Sequence, residues 1–234
     1  MNQTAEPTVT FFAPAGRDLV AELERKSLLL RNAPFLQQTL DAMSDVVLIL
    51  NVQRQVVGAN QVLLQMLNCT MDAVLGKRPG ELVGCQHAAT GPDGCGTNHA
   101  CLVCGAVDAI LGSQNTLAQV NRECRILLVE PVGGAMDLSV SAKAVDVDGE
   151  RFTLCVMKDV SDQKRLAVLA RMFFHDVLNT AGSIRGFAEL LRESASRNTP
   201  QDEELGQLAE LADQLVEEIQ AQRCLLYTSD AADE

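Results

Sequence analysis

The feature that most constrains the fold is a helical pattern that runs without interruption from residue 162 to about residue 195. Apolar residues recur there in alternating steps of four and three, which is the spacing of a heptad seam. The seam consists of Leu166, Ala170, Phe173, Val177, Thr180, Ile184, Phe187 and Leu191, with Thr180 as its one polar member. A helix of this length, roughly 50 Å at 1.5 Å per residue, is typical of coiled coils and bundles. With Ala170 and Val177 at a positions, His175 falls at f, so the sequence predicts that it faces solvent.

A second helix is predicted after a breaker cluster at residues 196–200, and it extends from about residue 202 to residue 222. Its apolar residues again alternate steps of three and four: Leu205, Leu208, Ala212, Leu215 and Ile219. Two antiparallel helices have too little core to be stable alone, whereas two copies of such a hairpin make a four-helix bundle. The pattern therefore predicts a helical hairpin over residues 162–223 and a homodimer.

Composition restricts the class of protein. A hydrophobic content of 47% and a charged content of 21% are typical of a folded, water-soluble chain. The formal net charge of -12 argues against nucleic acid or an anionic membrane as a partner. No apolar run approaches the roughly 18 residues of a membrane span, and the N-terminus has no signal-peptide pattern. These features predict a cytoplasmic protein, in which the eight cysteines are thiols or metal ligands.

Residues 1–16 are polar and without periodicity, which predicts a disordered leader. Residues 17–43 have leucines at helical spacing, interrupted at Pro34, and are predicted to form an N-terminal amphipathic helix that packs on the next domain. Five strand-like runs follow, at residues 46–50, 55–58, 118–129, 136–147 and 151–158. The last two are joined by Asp148-Gly149, a strong hairpin signal. The order of elements predicts an α+β domain at residues 44–161, with a five-stranded antiparallel sheet and helices on one face.

Both ends of this domain resemble a PAS (Per-Arnt-Sim) sensory domain, over about residues 38–162. The opening resemblance lies in Leu40-Asp41-Ala42-Met43-Ser44-Asp45-Val46-Val47-Leu48-Ile49, followed by Val57-Gly58-Ala59-Asn60. At the far end, Val156-Met157-Lys158-Asp159-Val160-Ser161 is similar to the signature with which such domains pass into a signalling helix. We expect Asp159 or Ser161 to cap the first free amide groups of that helix. The resemblance implies a domain that senses a signal.

A cysteine-rich insertion occupies residues 84–105 of this domain. Its four cysteines, Cys85, Cys95, Cys101 and Cys104, are spaced Cys-x9-Cys-x5-Cys-x2-Cys. A Cys-x2-Cys pair can place both sulfurs on one metal, and a first shell of sulfur suits Zn²⁺ or an iron–sulfur cluster. The spacing favours a metal site on these four cysteines, and it does not assign the metal.

Two alternatives to the metal site remain open. Cys101 and Cys104 could close a reversible disulfide as a thiol redox switch, or the four cysteines could be small packing residues in a glycine-rich loop. The other cysteines upstream of the hairpin, Cys69, Cys124 and Cys155, stand singly in a helix end or in strands and are predicted to pack in the core. We interpret His87 and His99 as bystanders, since four cysteines complete a tetrahedral shell.

The helical hairpin resembles the dimerisation and histidine-phosphotransfer domain of sensor histidine kinases. The resemblance implies that His175 is the phosphoacceptor, followed by the acidic residue Asp176, with Asn179 at a position that often holds Asn, Thr or Gln. Such an acceptor needs an exposed imidazole with one free nitrogen, and an adjacent carboxylate can hold the proton of the other nitrogen. Asn179, one turn further on, can hydrogen-bond a phosphoryl oxygen. The alternative is that these are three polar residues on the solvent-exposed face of a helix, without a catalytic role.

The hairpin departs from the family in one respect. The commonest version has a proline five residues after the histidine, where this chain has Thr180, with Gly182 and Gly186 beyond it. The subfamily, and with it the balance of kinase and phosphatase activity, stays open.

No nucleotide site is visible in the sequence, because there is neither a phosphate-binding glycine loop nor a cluster of metal-binding carboxylates beyond the second helix. Residues 224–234 break the heptad register and resemble the conceptual translation of a transposon-end sequencing adapter. We interpret them as a non-native tail, with an ordinary disordered tail as the alternative, and leave them out of functional reasoning.

These features together predict the sensing and phosphoacceptor part of a two-component sensor histidine kinase. A C-terminal ATP-binding domain, missing here, would phosphorylate His175, and a response regulator receiver domain would take the phosphate. The alternatives are a non-enzymatic metal- or redox-sensing PAS dimerisation module and a stand-alone phosphotransfer protein. As given, the chain is predicted to be catalytically incomplete, with ATP used only through the missing domain.

Overall fold

The computed structural model describes residues 9–194 and 200–230, and it divides the chain into two compact units. The first unit is Met1–Asp162 and the second is Gln163–Glu234.

The first unit is built on a five-stranded antiparallel sheet. Its strands are β1 (Val46–Leu50), β2 (Val56–Ala59), β3 (Val120–Leu127), β4 (Ala135–Val147) and β5 (Glu150–Asp159), in the spatial order β2-β1-β5-β4-β3. Asp148 and Gly149 form the turn between β4 and β5, both with positive φ, at 49° and 80°. The turn closes a ladder in which Val147 pairs with Glu150, as Asp-Gly predicts. The α+β fold class and the antiparallel sheet are therefore confirmed.

Short helices follow β2 and precede β3. They are α3 (Gln61–Met66), α4 (Met71–Val74), α5 (Pro79–Leu82), α6 (Gln86–Thr90), a 3₁₀ helix (His99–Val103) and α7 (Gly105–Thr116). These helices cover one face of the sheet, where Leu48 and Leu50 of β1 pack with Leu63 of α3 and Ile110 of α7. Because successive side chains of a strand point to opposite faces, Leu48 and Leu50 belong to a different core from Val47 and Ile49.

The N-terminal helices lie on the other face of the sheet. Two helices, α1 (Val20–Arg31) and α2 (Pro34–Asp41), occupy the segment that the sequence predicts as one interrupted helix, and Pro34 begins α2. Leu23, Leu30 and Leu40 pack there against Val47, Ile49, Val57 and Phe152. Pro is tolerated in the first turn of a helix because its missing N–H needs no partner there.

Residues 9–16 do not form the loose leader that the sequence predicts. The amide of Phe11 donates to the carbonyl of Thr97 at 3.1 Å, and the amide of Ala13 donates to the carbonyl of Gly96 at 2.9 Å. Ala13 is completely buried. Backbone pairing with the cysteine-rich insertion orders this segment, a tertiary contact that composition does not reveal. Residues 1–8 lie outside the described residues.

The passage from β5 into the long helix is held by three hydrogen bonds. Asp159 Oδ1 accepts from the amide of Ser161 at 2.8 Å, and Ser161 Oγ accepts from the amide of Asp137 in β4 at 2.9 Å. The amide of Val160 donates to the carbonyl of Asp137 at 2.9 Å. The predicted capping at this junction is confirmed, and it ties the helix start to the sheet.

The second unit contains two long helices, α8 (Ser161–Ser194), which begins at the junction, and α9 (Pro200–Asp230). They are antiparallel, since Arg185 pairs with Asp213 at 2.9 Å and Arg192 pairs with Asp202 at 3.1 Å. The buried residues of the pair are small or apolar: Phe174, Ala181 and Ala188 of α8, and Ala209, Ala212 and Ile219 of α9.

Two predictions about this unit fall partly outside the described residues. These are the breaker cluster, of which residues 196–199 are not described, and the tail, of which residues 231–234 are not described. The backbone of residues 224–230 continues α9. Within the described residues, no helix is both long enough and apolar enough to span a membrane.

Candidate functional site

The predicted phosphoacceptor lies on the outer surface of α8. Its buried residues, Phe174, Ala181 and Ala188, recur every seven positions, and His175 follows Phe174, about 100° further around the helix. The side chains of His175 and Asp176 are 71% and 76% exposed. The predicted exposure of His175 is confirmed.

Asp176 and Asn179 each lie within hydrogen-bonding distance of the ring of His175. His175 Nδ1 is 3.1 Å from Asp176 Oδ1, and Asn179 Nδ2 is 3.2 Å from His175 Nε2 and 3.3 Å from Nδ1. A carboxylate accepts hydrogen bonds, so this arrangement favours the tautomer with its proton on Nδ1. Nε2 then keeps its lone pair, and the Asn179 amide lies close to both ring nitrogens.

Thr180 is part of a continuous helix. Its Oγ1 donates to the carbonyl of Asp176 at 2.8 Å, a local bond that hydroxyl residues often make in helices. The helix continues past Gly182 and Gly186, where an added Cβ would meet no heavy atom within 4 Å.

A second candidate site is a cavity of about 150 Å³ between the cysteine-rich insertion and the sheet. All four cysteines predicted as metal ligands line it, together with His87. The sheet contributes Ile126, Leu138 and Met157, and α7 contributes Val107 and Ile110. The structure therefore brings the four predicted cysteines around one apolar space.

Each of the four cysteines reaches the cavity from a different local element. Cys85 precedes α6, Cys101 lies in the 3₁₀ helix, and Cys104 precedes α7. Cys95 follows Gly94, whose φ of +75° requires the left-handed conformation that glycine favours. Gly80 is also constrained, because a Cβ there would lie 2.8 Å from Cys95 Sγ.

Cys124 also belongs to this site, which sequence reasoning missed. It is buried in the core, as predicted, and its Sγ lies 3.5 Å from Cys104 Sγ. Among the described residues, this is the only sulfur–sulfur contact. The structure therefore pairs Cys104 with Cys124, whereas a Cys-x2-Cys redox switch would pair it with Cys101. The sequence signal that could have located Cys124 is the alternation of buried and exposed residues in β3, where Cys124 and Ile126 are the buried positions.

Burial keeps most of these thiols protonated. It raises the pKa of Cys95 to about 12, and it raises the pKa of Cys85 and of Cys101. The hydrogen bond between Cys104 and Cys124 is the main cause of both of their pKa shifts. It raises the pKa of Cys104 and lowers the pKa of Cys124 to about 7. In this pair Cys104 holds the proton and Cys124 is the more readily ionised sulfur.

The four cysteines line the cavity without forming a site for a single metal ion. Within residues 9–194 and 200–230, no three His, Cys, Asp or Glu side chains are close enough together to hold one metal ion. The other histidine of the insertion, His99, packs edge-on against Phe11, with ring centroids 5.8 Å apart.

Two buried arginines lie behind the cysteine-bearing loop. Arg78 is completely buried, and it donates to the carbonyl of Gly16 at 2.7 Å and to Asp93 Oδ2 at 3.2 Å. Arg54 is 2% exposed and has a φ of +64°, which is uncommon for a residue with a Cβ.

Arg54 is incompletely paired. Its Nη2 donates to the carbonyl of Pro14 at 2.9 Å, whereas Nε and Nη1 have no hydrogen-bond partner among the described residues. Burial, with a further contribution from the charge of Arg78, lowers the pKa of Arg54 to about 10.

Solved structures that resemble this chain include several PAS domains and a LOV protein. The PAS domain of nitrogen regulation protein NR(II) from Vibrio parahaemolyticus is 12% identical, with a TM-score of 0.39, over 53% of this chain and 95% of that one. A PAS domain from a two-component sensor histidine kinase is 11% identical, with a TM-score of 0.36, over 55% and 96%. A LOV protein from Rhodobacter sphaeroides is 14% identical, with a TM-score of 0.39, over 87% and 99%. No protein-family model and no curated protein matches the sequence.

Proposed function

We propose that this chain is the signal-sensing and phosphoacceptor part of a two-component sensor histidine kinase. The observation that carries the proposal is the arrangement of Asp176 and Asn179 around the exposed ring of His175, with Asp176 Oδ1 3.1 Å from Nδ1 and Asn179 Nδ2 3.2 Å from Nε2. An ATP-binding domain outside residues 1–234 would supply the phosphoryl group, and a response regulator receiver domain would accept it.

The part of the chemistry that falls to this chain uses these three side chains, and ATP is held by the separate ATP-binding domain. With its proton on Nδ1 held by Asp176, His175 attacks the γ-phosphorus of ATP through the lone pair of Nε2. A P–N bond forms, the P–O bond to ADP breaks, and the positive charge that develops on the ring is stabilised by the adjacent carboxylate. The amide of Asn179, already at Nε2, can donate to an oxygen of the bound phosphoryl group.

A second copy of the chain is the proposed partner of the helical hairpin. Most of the predicted seam of α8 remains at the surface of one chain. The exposed fraction is 67% for Leu166, 61% for Phe173 and 68% for Phe187. Such a stripe of large apolar side chains marks an interaction surface. Its heptad spacing suits an identical helix, so a dimeric four-helix bundle would bury it.

His175 stays accessible in that dimer. At heptad position f it lies opposite the a and d stripe, and it is also off the face that α8 buries against α9. A catalytic domain and a receiver domain could each reach it from solvent without opening the bundle.

The junction at Asp159 and Ser161 is the proposed route from sensing to phosphorylation. The hydrogen bonds of Ser161 with Asp159 and with Asp137 attach the start of α8 to strands β5 and β4. A change in the sheet would therefore shift the first turn of α8, and the helix carries such a shift toward His175.

The proposal is tested by supplying the full chain with the separate ATP-binding domain of a histidine kinase and ATP labelled at the γ-phosphate. We expect label on the chain that is stable in alkali and lost in acid, as phosphohistidine is. His175→Ala should remove it. His87→Ala is the matched control, since His87 lies in the cysteine-rich insertion, and it should keep the label. Label that persists in His175→Ala would contradict the proposal.

A further inference from the structure

The cavity beneath the cysteine-rich insertion is a sulfur-lined space that phosphotransfer chemistry does not use. Cys85, Cys95, Cys101 and Cys104 line it from four local elements, and its volume is about 150 Å³. An apolar cavity of about this volume is large enough to hold a benzene molecule, and thus a group of several heavy atoms. The arrangement calls for a ligand that bonds to sulfur and is larger than one ion.

A cavity of about 150 Å³ has room for a group larger than a single zinc ion. Four sulfurs at roughly 2.3 Å from one ion are about 3.8 Å from one another, and no three ligand side chains among the described residues converge in this way. An iron–sulfur core also takes four cysteine thiolates, but it places them around its periphery. Four cysteines that line one cavity provide that number and kind of ligand.

The charges near the cavity favour an anionic ligand. Four thiolates outweigh the positive charge of an iron–sulfur core, so the bound group carries net negative charge. Arg125 lines the cavity. Arg54 lies against Gly96, next to Cys95, and an added Cβ at Gly96 would be 3.3 Å from Arg54 Nε. Arg54 does not line the cavity, and its two nitrogens without hydrogen-bond partners add positive charge near Cys95.

We propose that Cys85, Cys95, Cys101 and Cys104 bind an iron–sulfur cluster in this cavity. Cys124 contributes a fifth sulfur, next to that of Cys104. With Cys104 ligated as a thiolate, Cys124 S–H donates to it across the observed 3.5 Å. Hydrogen bonds to ligand sulfurs tune the reduction potential of a cluster, so Cys124 is a positioning and tuning residue and not a ligand. Cluster binding does not rest on the role of His175, whereas its use as an input signal does.

Loading can be achieved by ligand exchange without any change of oxidation state. A synthetic cluster held by four small thiolates reacts with the four cysteine thiols. Each iron–sulfur bond to a small thiolate breaks, a bond to a cysteine sulfur forms, and the cysteine proton leaves on the small thiol. No oxidant or reductant is required.

The test is to treat the anaerobically purified full chain with that synthetic cluster, remove unbound material, and measure iron, acid-labile sulfide and visible absorption. We expect iron and sulfide in equal amounts and the broad visible bands of thiolate-to-iron charge transfer. Cys95→Ala and Cys101→Ala should each lose most of the bound iron. Cys69→Ala is the matched control because Cys69 packs against the same core outside the cavity, and it should load like the native chain.

Cys124→Ala separates tuning from ligation. It should retain iron and sulfide and shift the reduction potential of the cluster to a more negative value, since a donor that stabilises the reduced cluster is lost. Circular dichroism and thermal unfolding of each variant show whether a loss of iron reflects a loss of fold. A native chain that acquires no visible absorption but binds one zinc ion would overturn the proposal. Cavity variants that fold and retain as much iron as Cys69→Ala would also overturn it.

Discussion

His175 is distinguished from the other two histidines by its immediate neighbours. His99 packs against Phe11 and His87 lines an apolar cavity, whereas His175 is exposed and has a carboxylate at Nδ1 and an amide at Nε2. A nucleophilic imidazole needs one nitrogen free and the other held. At the scale of single residues, the contact of Asp176 with Nδ1 is the feature on which the proposed role of His175 rests.

Asp176→Asn should slow phosphorylation of His175 by about tenfold to hundredfold, because a neutral amide can donate to Nδ1 and so favour the wrong tautomer. The initial rate of labelling by a separately supplied ATP-binding domain measures the effect. Glu193→Gln, an exposed carboxylate further along α8, should leave the rate unchanged. Equal rates in the native chain and Asp176→Asn would show that the carboxylate does not orient the ring.

The exposure of His175 could be predicted from the sequence, whereas the contacts of Cys124 and Arg54 could not. The heptad pattern fixes the face of α8 on which His175 lies, because the helical period is a local property. Cys124 lies twenty positions from Cys104, on another element, and only the docking of α7 on β3 brings their sulfurs together. The unpaired state of Arg54 depends on the folding of residues 9–16 and 94–97 around it.

At the scale of elements, Asn60 joins three segments of the first unit. Its Oδ1 accepts from the amide of Leu63 at 3.3 Å, which caps α3, and from the amide of Val47 in β1 at 3.1 Å. Its Nδ2 donates to the carbonyls of Leu40 and Asp45. Asn60 is completely buried, so every one of these bonds is sheltered from water.

Asn60→Ala should lower the free energy of unfolding by about 2–4 kcal/mol, since it removes a helix cap and leaves buried backbone groups without partners. Chemical denaturation followed by circular dichroism gives the value. Asn121→Ala, at an exposed position of β3, should stay within about 0.5 kcal/mol of the native chain. A similar small change for Asn60→Ala would mean that water replaces its four bonds.

The strands and long helices could be predicted because their periodicity is local, whereas the short helices of the insertion could not. The helix α5 has only four residues, and at its start the Glu81 carboxylate accepts from the amide of Arg78 at 3.0 Å. Arg78 is in turn held by Gly16 and Asp93. Such elements are defined by contacts between distant residues, and a single sequence does not show which residues will meet.

At the scale of the whole molecule, the proposed four-helix bundle requires two copies of the chain. Phe187 is 68% exposed on the predicted seam of α8, and burying a large apolar side chain of this kind contributes about 1.5–3 kcal/mol. We therefore expect the native chain to be a dimer at micromolar concentration by light scattering. Phe187→Glu should shift it to monomer, whereas Val132→Glu, in an exposed loop of the first unit, should leave the dimer intact. A monomeric native chain would contradict the four-helix bundle.

The most direct test of the proposed role of His175 is to determine which histidine nitrogen carries the phosphate. The full chain, with its histidines labelled with ¹⁵N, is phosphorylated by a separately supplied ATP-binding domain and examined by ³¹P and ¹⁵N NMR. Because Asp176 holds the proton on Nδ1, the account predicts one phosphohistidine, at His175, with phosphorus bonded to Nε2. Phosphate on Nδ1 of His175, or on His87 or His99, would contradict it.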